Sequence, residues 1–264
     1  AHEGGGIANI GLTNFDTDHL LVLLRHGFPV VSNQVVVSLL DQRALGDMTT
    51  EVLKNGIKLF AYGVLAGGFL TERWLDKPEP GNSELNDWSK MKYKRFIDET
   101  GGWENLQIIL RALTSVAQRH DVSVANVATR WVLDQPAVGA VIIGARLTES
   151  QHRQDNFTIF SFVLDEEDKS LIAESMADIC RLKGDCGDGY REPPFLTATG
   201  DLSHHLDSLP TVYEPIAVPG KTDRTQVFSG TKWEKICGHS RAVRIGNRIL
   251  VSGTTATHGQ DVIV

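Results

Sequence analysis

Strand-like and helix-like segments alternate across residues 7–64, which read IANIGLTNFDTDHLLVLLRHGFPVVSNQVVVSLLDQRALGDMTTEVLKNGIKLFAYGV. The apolar runs that have the length of buried strands are residues 7–12, 29–37 and 57–64. Between them, Asp16 or Thr17 can cap a first helix and Thr49 a second, because their side-chain oxygens can accept hydrogen bonds from free amide groups. Gly27 follows the first of these helices, where glycine is common. This order predicts repeated βα units, and hence an α/β fold.

The same alternation continues beyond a long polar stretch, residues 71–102, whose length favours a functional loop. Apolar residues spaced three and four apart then predict a long helix. Its apolar face is Trp103, Leu106, Ile109, Leu110, Leu113 and Val116. Ser123 can cap the following helix. Residues 138–143 predict a fourth strand, residues 148–157 its helix, and the acidic residues 165–168 the start of another helix.

The composition is that of a globular chain with a substantial core. The 264 residues are 41% hydrophobic and carry 26 Lys and Arg against 33 Asp and Glu, a formal net charge of −7. These values argue against disorder and, through the acidic balance, against general binding to nucleic acid or an anionic membrane. No apolar run approaches the roughly 18 residues of a membrane helix. The start, AHEGGG, has neither an initiator Met nor a signal-peptide region, so we expect an internal cut.

The cysteines indicate the redox compartment. Cys180, Cys186 and Cys237 are an odd and sparse set, which suits a reducing compartment such as the cytoplasm better than a disulfide framework. No CxxC pair or His/Cys cluster has the spacing of metal ligands, so we expect no metal site.

A change in composition predicts a second module. Residues 183–220 are rich in Gly, Asp, Ser and Pro, which indicates a linker after a first domain at residues 1–182. Residues 214–264 carry seven Lys and Arg against four Asp and Glu, whereas the remainder carries 19 against 29. Within the module at residues 221–264, Gly246 and Asn247 predict a tight turn between two strands.

Four motifs of the first domain resemble, in order, those of the aldo/keto reductase family. They are Ile10-Gly11-Leu12-Thr13-Asn14-Phe15, Ser32-Asn33-Gln34, Tyr62-Gly63-Val64-Leu65-Ala66-Gly67-Gly68, and Ile142-Ile143-Gly144-Ala145-Arg146 followed by Asp155-Asn156. The resemblance covers about residues 4–178. The family fold is a TIM (β/α)8 barrel, and the four predicted strands resemble strands five to eight. The resemblance therefore implies a partial barrel, its C-terminal half.

In that family these positions bind NADP(H) and serve carbonyl/alcohol hydride transfer. The implied cofactor-binding residues are Thr13, Asn14, Gln34, Tyr62, Gly63, Leu65, Gly67, Gly144, Arg146, Thr148, His152, Asp155 and Asn156. By resemblance, Thr13 and Asn14 hold the nicotinamide carboxamide with Gln34 beside them, and Tyr62 stacks on the ring. Gly63, Leu65 and Gly67 bring backbone to the pyrophosphate. Arg146 meets the 2′-phosphate, and Asp155 and Asn156 lie at the adenine.

Simpler interpretations of the same residues stay open. The stretch from Gly144 to Asn156 is two residues longer than the commonest family spacing, so Thr148 and His152 have no defined contact. A tyrosine at a strand end usually packs, and an arginine after a strand is usually a solvated charge. Trp88 and Trp103 can line a substrate pocket or pack in the core. Lys92 and Arg95 can reach over the cofactor phosphates, whereas His204 and His205 lack a partner pattern.

The family's catalytic Asp, Tyr, Lys and His lie on its first four strands and their loops. No residue of this chain can be assigned to that tetrad, and Tyr62 is not its tyrosine. The resemblance thus implies a fragment that binds the cofactor but cannot by itself reduce a carbonyl substrate. The alternative within the same fold is a nucleotide-binding subunit without catalysis; finding an intact tetrad upstream would distinguish the two.

The last segment resembles the opening of the reactive-intermediate deaminase, or YjgF-like, family. The residues that carry this resemblance are Trp233-Glu234, Ser240-Arg241-Ala242-Val243 and Ile249-Leu250-Val251-Ser252-Gly253-Thr254-Thr255. That family hydrolyses enamines and imines in trimers and has an α+β fold, so an oligomer through this module is implied. Its catalytic arginine lies further along than this chain extends. Imine hydrolysis is therefore a second alternative for a longer protein.

Overall fold

The computed structural model describes residues 5–81, 84–85, 88–144, 152–191, 214–228, 230, 232–252, 257–258 and 261–262. The chain divides into two compact units, Ala1–Leu209 and Pro210–Val264. The point of division lies inside the predicted linker at residues 183–220.

The first unit is an α/β unit built on one parallel sheet. Its elements are β1 (Ile10–Thr13), α1 (Thr17–Arg25), β2 (Val30–Val36), α2 (Asp47–Lys54), β3 (Lys58–Tyr62), α3 (Trp88–Glu99), α4 (Gly102–His120), α5 (Val124–Leu133), β4 (Val138–Ile142), α6 (His152–Thr158), α7 (Glu166–Ser175) and α8 (Asp188–Arg191). The strands lie in the order β1-β2-β3-β4, and each neighbouring pair is parallel. The predicted alternation and α/β class are confirmed.

Two of the predicted helix caps are confirmed. The Asp16 carboxylate accepts a hydrogen bond of 2.8 Å from the His19 amide at the start of α1. The Ser123 hydroxyl accepts one of 3.1 Å from the Asn126 amide at the start of α5. The acidic start predicted for α7 is a capping box, in which Asp165 and Asp168 each accept a backbone amide bond of the other.

The prediction for Thr49 is wrong. The helix begins at Asp47, directly after a 3-10 turn at Arg43–Leu45, so Thr49 lies within its first turn. Its hydroxyl donates 2.9 Å back to the Ala44 carbonyl instead of accepting an amide bond. The residue before the helix is Gly46, which has no side chain, so no side-chain cap forms there.

Regular secondary structure forms within residues 71–102, a stretch that the sequence predicts to be a functional loop because it is long for a structureless connection. A 3-10 turn lies at Glu72–Trp74, and α3 forms near the end of the stretch. Tyr93, Phe96 and Ile97 are buried at helical spacing. Most residues of α3 are charged or polar, so its composition resembles that of a loop. The helix forms because its few apolar residues pack in the core.

Two apolar clusters form the core of the first unit. One lies between the sheet and helices α1, α2 and α5, and its members include Leu20, Val35, Met48, Val52, Leu59 and Ala61. The other holds α3, α4, α5 and α7 together around the rings of Phe69, Trp74 and Trp103, whose centroids lie 5.0 to 6.0 Å apart. The Trp103 indole donates to the Lys77 carbonyl at 2.8 Å. Trp103 is therefore a core residue.

The second face of the sheet is more open. Thr13, Gln34, Phe60 and Ala140 are in register on four adjacent strands, so their side chains share this face. Phe60 is 38% exposed, and Ile142, two residues after Ala140 on β4, is 42% exposed.

The first part of the predicted linker packs on the first unit, which corrects the prediction for its residues 184–189. Cys186 is 2% exposed and Asp188 4% exposed, and α8 begins here. Polar and apolar side chains of this segment find partners on other elements, which composition alone does not reveal. Residues 192–213 of the linker, with His204 and His205, lie outside the described residues.

The second unit contains an antiparallel sheet. Its elements are β5 (Ile216–Ala217), β6 (Arg224–Val227), α9 (Lys232–Cys237), β7 (Ala242–Ile245), β8 (Arg248–Val251), β9 (Thr257–His258) and β10 (Asp261–Val262). Strands β5 to β8 form a meander, and β9 pairs with β10. The predicted hairpin is confirmed, with Gly246 at a φ of 56° in its turn. Two further strands, β5 and β6, extend it.

Across both units, the described helices include none that is long and apolar enough to cross a membrane. The three cysteines are free thiols.

Candidate functional site

The carboxyl ends of three parallel strands bring together four of the predicted residues. Asn14, which follows Thr13 at the end of β1, has a φ of 55°, and its amide donates 2.9 Å to the Gln34 carbonyl on β2. The Tyr62 hydroxyl, at the end of β3, donates 2.7 Å to Asn14 Oδ1. Thr13, Asn14, Gln34 and Tyr62 thus lie at one edge of the sheet, where parallel α/β folds place ligands.

The glycine-rich loop after β3 turns sharply back on itself. Gly63, Gly67 and Gly68 have φ values of 67°, 66° and 90°. The Ala66 amide donates 2.8 Å to the Gly63 carbonyl, which closes the turn. A Cβ at Gly63 would lie 2.1 Å from Tyr93 Oη, and one at Gly67 would lie 2.7 Å from the Tyr93 ring. Glycine is therefore required here for the close approach of α3 to the loop.

A cleft of about 620 Å³ opens between this loop, the end of β4 and helix α6. The predicted residues that line it are Gly63, Leu65, Gly67, Gly144, His152 and Asn156. Four further residues contribute polar or charged groups that sequence reasoning did not assign, namely Arg73, Ser89, Tyr93 and Arg153. Arg73 and Arg153 are 80 residues apart in the sequence, so the fold brings two positive charges together at the cleft of a chain whose net charge is −7.

Little in the sequence indicates that these four residues line a cleft. Arg73 follows the glycine loop closely, and a basic residue next to such a loop could have marked a phosphate site. Ser89 and Tyr93 lie in the stretch interpreted as a loop. Arg153 lies beside the predicted His152, but the resemblance gave it no role.

Asp155 serves the helix scaffold. Its two carboxylate oxygens accept 3.0 Å hydrogen bonds from the Ser123 hydroxyl and the Asn126 side-chain amide, which ties α6 to the amino end of α5. It does not line the cleft, although its neighbour Asn156 does. The adenine contact of Asp155 stays a prediction. Both oxygens of its carboxylate already accept hydrogen bonds, from Ser123 and Asn126. Arg146 and Thr148 lie outside the described residues.

Lys92 does not extend into the cleft. Its side chain is buried, and Nζ lies 5.7, 5.3 and 5.6 Å from the ring centroids of Tyr62, Tyr93 and Phe96. Cation–π attraction stabilises an ammonium group in such surroundings. Arg95 borders a separate depression beside Lys94 and Asp98. The side chain of Trp88 lies outside the described residues.

The cleft can bind an anionic group such as a phosphate. Arg73 and Arg153 can oppose its charge, and the open backbone at Gly68 and Gly144 has no atom within 4 Å of a Cβ position. In the part of the chain that the structure describes, no group of three or more His, Cys, Asp or Glu could hold a metal ion.

Comparison with known proteins identifies the family. Residues 1–177 match the sequence model of the Aldo/keto reductase family. The chain belongs to this family. The matched residues lie in the first unit, which carries the four motifs.

Two curated relatives and one solved structure define the extent of the similarity. Flagellar radial spoke protein 5 of Chlamydomonas reinhardtii is 33% identical over 132 residues, which are 48% of this chain and 24% of that protein. The NADH-specific methylglyoxal reductase of Escherichia coli is 24% identical over 172 residues, 64% of this chain and 49% of that protein. The glycerol dehydrogenase of Gluconobacter oxydans superposes with a TM-score of 0.55 at 23% identity, covering 70% of this chain and 53% of that one.

The last similarity concerns the fold, which is the TIM-barrel fold of the family. This aldo/keto reductase chain spans about half the length, or less, of these three relatives. The roles of the individual site residues stay predictions.

Proposed function

We propose that the chain supplies the cofactor-binding part of an NADP(H)-dependent oxidoreductase that interconverts carbonyls and alcohols. The observation that carries the proposal is the cleft, where the glycine loop, Gly144 and two arginines converge. Neither Tyr62 nor Asn14 lines this cleft, but Gly63, which does, directly follows Tyr62, whose hydroxyl bonds to Asn14. A preformed concave site with a few polar groups is the form that a cofactor site takes.

A bound nicotinamide would supply or accept hydride at this edge of the sheet. The chain's own residues would bind and orient it. Asn14, with Thr13 and Gln34, would hold the carboxamide, while the Tyr62 ring would fix which ring face is presented. Arg73 and Arg153 would neutralise phosphate charge along the loop.

The four-stranded parallel sheet supports the proposal that this chain corresponds to strands five to eight of the barrel. The proton-donating tetrad would then lie on strands that this sequence does not include. General acid catalysis needs a positioned proton donor. We therefore propose that this chain alone is inactive toward its small-molecule carbonyl substrate.

The choice of NADP over NAD is a finer part of the proposal. It rests on Arg146, which the family pattern places at the 2′-phosphate. One relative carries the name of an NADH-specific reductase, so cofactor preference varies among proteins similar to this chain. The cytoplasm is the proposed location, supported by three cysteines that all remain free.

A nucleotide-binding subunit without catalysis is the second candidate. The observation in its favour is the 33% identity over 132 residues to Flagellar radial spoke protein 5, a name that refers to the flagellar radial spoke. Both candidates bind the nucleotide, and they differ only in turnover.

For the second unit we propose a YjgF-like module, which could join copies of a longer protein and hydrolyse imines there. The antiparallel β5–β8 meander with α9 supports this. Glu234, at the start of the resemblance, is 4% exposed and accepts a 2.8 Å bond from the Gly230 amide.

Direct binding tests the main proposal. NADPH and NADH are titrated calorimetrically into the chain and into Arg153→Ala, with Arg111→Ala as the matched control, because Arg111 is exposed and paired with Asp76. We expect Arg153→Ala to bind either nucleotide about tenfold more weakly and Arg111→Ala to bind as the unmodified chain does. Absence of binding by the unmodified chain would contradict the proposal. In parallel, NADPH oxidation with a panel of aldehydes should stay at the rate without protein.

A further inference from the structure

The Asn14 backbone conformation requires support from its surroundings. A non-glycine residue with a φ of 55° is in a sparsely populated region and persists only where neighbouring groups fix it. On one side, Asn14 is fixed by the Gln34 carbonyl and the Tyr62 hydroxyl. The chain then continues through Phe15 and Asp16 into α1, and the support on that side comes from a different part of the sequence.

That support is the segment 184–189, which we call the strap. Asp185 Oδ2 accepts a 2.8 Å hydrogen bond from the Thr17 amide. The Cys186 thiol lies 3.1 Å from the Phe15 carbonyl oxygen and donates to it, beside a 2.8 Å bond from the Asn33 side-chain amide. The strap lies beyond residues 1–177, which match the family. The match to the family model therefore assigns no role to the strap residues.

The strap is itself held in place. The Asp185 amide donates 2.7 Å to Asp188 Oδ2, and the Cys186 amide donates 2.6 Å to Asp185 Oδ1. The bond to Oδ1 fixes the Asp185 carboxylate, whose other oxygen, Oδ2, faces the Thr17 amide of α1. Gly189 lies against α3, where a Cβ would be 3.2 Å from Phe96 Cζ.

The Cys186 thiol keeps its proton. Burial raises its pKa well above the usual value, and the Asp185 carboxylate raises it further. A protonated thiol is the form that can donate to the Phe15 carbonyl.

Asp185 acts beside a second carboxylate at the amino end of α1 and accepts from a different free amide of that helix. The amino end of α1 already has its own cap, because Asp16 accepts the His19 amide and also bonds to the His19 ring at 2.7 Å. The Thr17 amide is the first of α1, next to the turn that begins at Asn14. Asp185 therefore fixes the connection between the helix and Asn14.

We propose that Asp185 is a positioning residue, which holds the segment from Phe15 to Thr17 so that Asn14 presents its side chain to the nicotinamide carboxamide. The inference rests on the proposed nucleotide function, because it names what Asn14 is positioned for. Asp185 should then affect the binding of the nicotinamide end of the nucleotide and not the binding of its adenosine phosphate end.

Two measurements on the full chain test the inference, with the variants Asp185→Ala and Asp185→Asn. The control is Asp165→Ala, which removes a carboxylate from the start of α7, away from Asn14. The first measurement is hydrogen exchange at the Thr17 amide without nucleotide. We expect Asp185→Ala to speed exchange about tenfold or more, Asp185→Asn to preserve part of the protection, and Asp165→Ala to leave it unchanged.

The second measurement compares binding of NADPH with binding of 2′-phospho-ADP-ribose, which lacks the nicotinamide. Asp185→Ala should bind NADPH about tenfold more weakly and 2′-phospho-ADP-ribose unchanged, and Asp185→Asn should recover most of the NADPH affinity. Equal losses for both nucleotides would overturn the inference, because they indicate a general structural role. Unchanged NADPH binding in Asp185→Ala would overturn it while leaving the proposed function standing. Failure of the unmodified chain to bind either nucleotide would overturn both, whatever the exchange shows. Should Asp185→Ala not fold, Asp185→Asn is compared instead: its neutral, weaker acceptor should lower NADPH affinity by only about threefold and leave 2′-phospho-ADP-ribose binding unchanged, and equal losses or no loss would overturn the inference.

Discussion

The Tyr62 hydroxyl donates a 2.7 Å hydrogen bond to Asn14 Oδ1, which connects the end of β3 to the end of β1 across β2. The sequence predicted a separate role for each residue. The structure joins them, so the orientation of the ring and that of the amide depend on each other.

Replacing Tyr62 with Phe should separate these two contributions. The ring stays, but the hydroxyl bond is lost, so we expect unfolding free energy to fall by about 1 kcal/mol. Urea denaturation of Tyr62→Phe and the unmodified chain measures this. An unchanged midpoint would show that the bond contributes nothing net to stability.

Gly63 should tolerate a methyl group far less well than Gly68. Both have positive φ, so an alanine at either is strained by about 1–2 kcal/mol. At Gly63 the added Cβ would also meet the Tyr93 hydroxyl at 2.1 Å, whereas nothing lies within 4 Å at Gly68. The overlap should add about 1–3 kcal/mol of destabilisation to Gly63→Ala. Urea unfolding of the two variants checks this, and equal losses would refute a tight Tyr93 contact.

The sequence predicted what local patterns determine. The α4 stripe from Trp103 and the cap at Ser123 depend on residues a few positions apart, and both are confirmed. The contact between Tyr93 and the glycine loop and the one between Asp185 and Thr17 join distant parts of the chain. No periodicity encodes such contacts, so α3 was interpreted as a loop and the strap as a linker. For the same reason, family motifs indicated the loop of the cleft but not Arg73 or Arg153.

The carboxylate of Asp165 should make stability depend on pH in acid. The Asp168 backbone amide lowers the Asp165 pKa below its ordinary value, and nearby Arg119 also lowers it. A group whose pKa is lower in the folded state stabilises the fold above its unfolded pKa and loses that effect as the pH falls through the folded value. Asp165→Asn should therefore weaken the dependence of the urea midpoint on pH below about 4. A pH profile parallel to that of the unmodified chain would contradict this.

The open face of the sheet should promote association. Phe60 is 38% exposed on this face, and the outer edges of β1 and β4 have no strand partner in the described sheet. We expect the chain to self-associate, and Phe60→Thr to reduce the associated fraction at equal concentration. Phe160→Thr is the control, because Phe160 is 72% exposed and belongs to none of the strands. Sedimentation velocity measures the fractions, and a compact monomer of the unmodified chain would contradict the prediction.

The last prediction concerns cofactor preference and the residue to which the family pattern assigns it. If Arg146 meets the 2′-phosphate, Arg146→Ala should weaken NADPH binding about ten- to a hundredfold, because a hydrogen bond to a charged group contributes about 1.5–3 kcal/mol. NADH has no 2′-phosphate, so its affinity should stay nearly constant. Arg153→Ala is the comparison: a residue that opposes the shared phosphates from the cleft should weaken both nucleotides alike. Fluorescence titration with each nucleotide distinguishes the two patterns. Equal losses for both nucleotides in Arg146→Ala would assign it to the pyrophosphate or to the scaffold, and unchanged binding would make it a solvated surface charge.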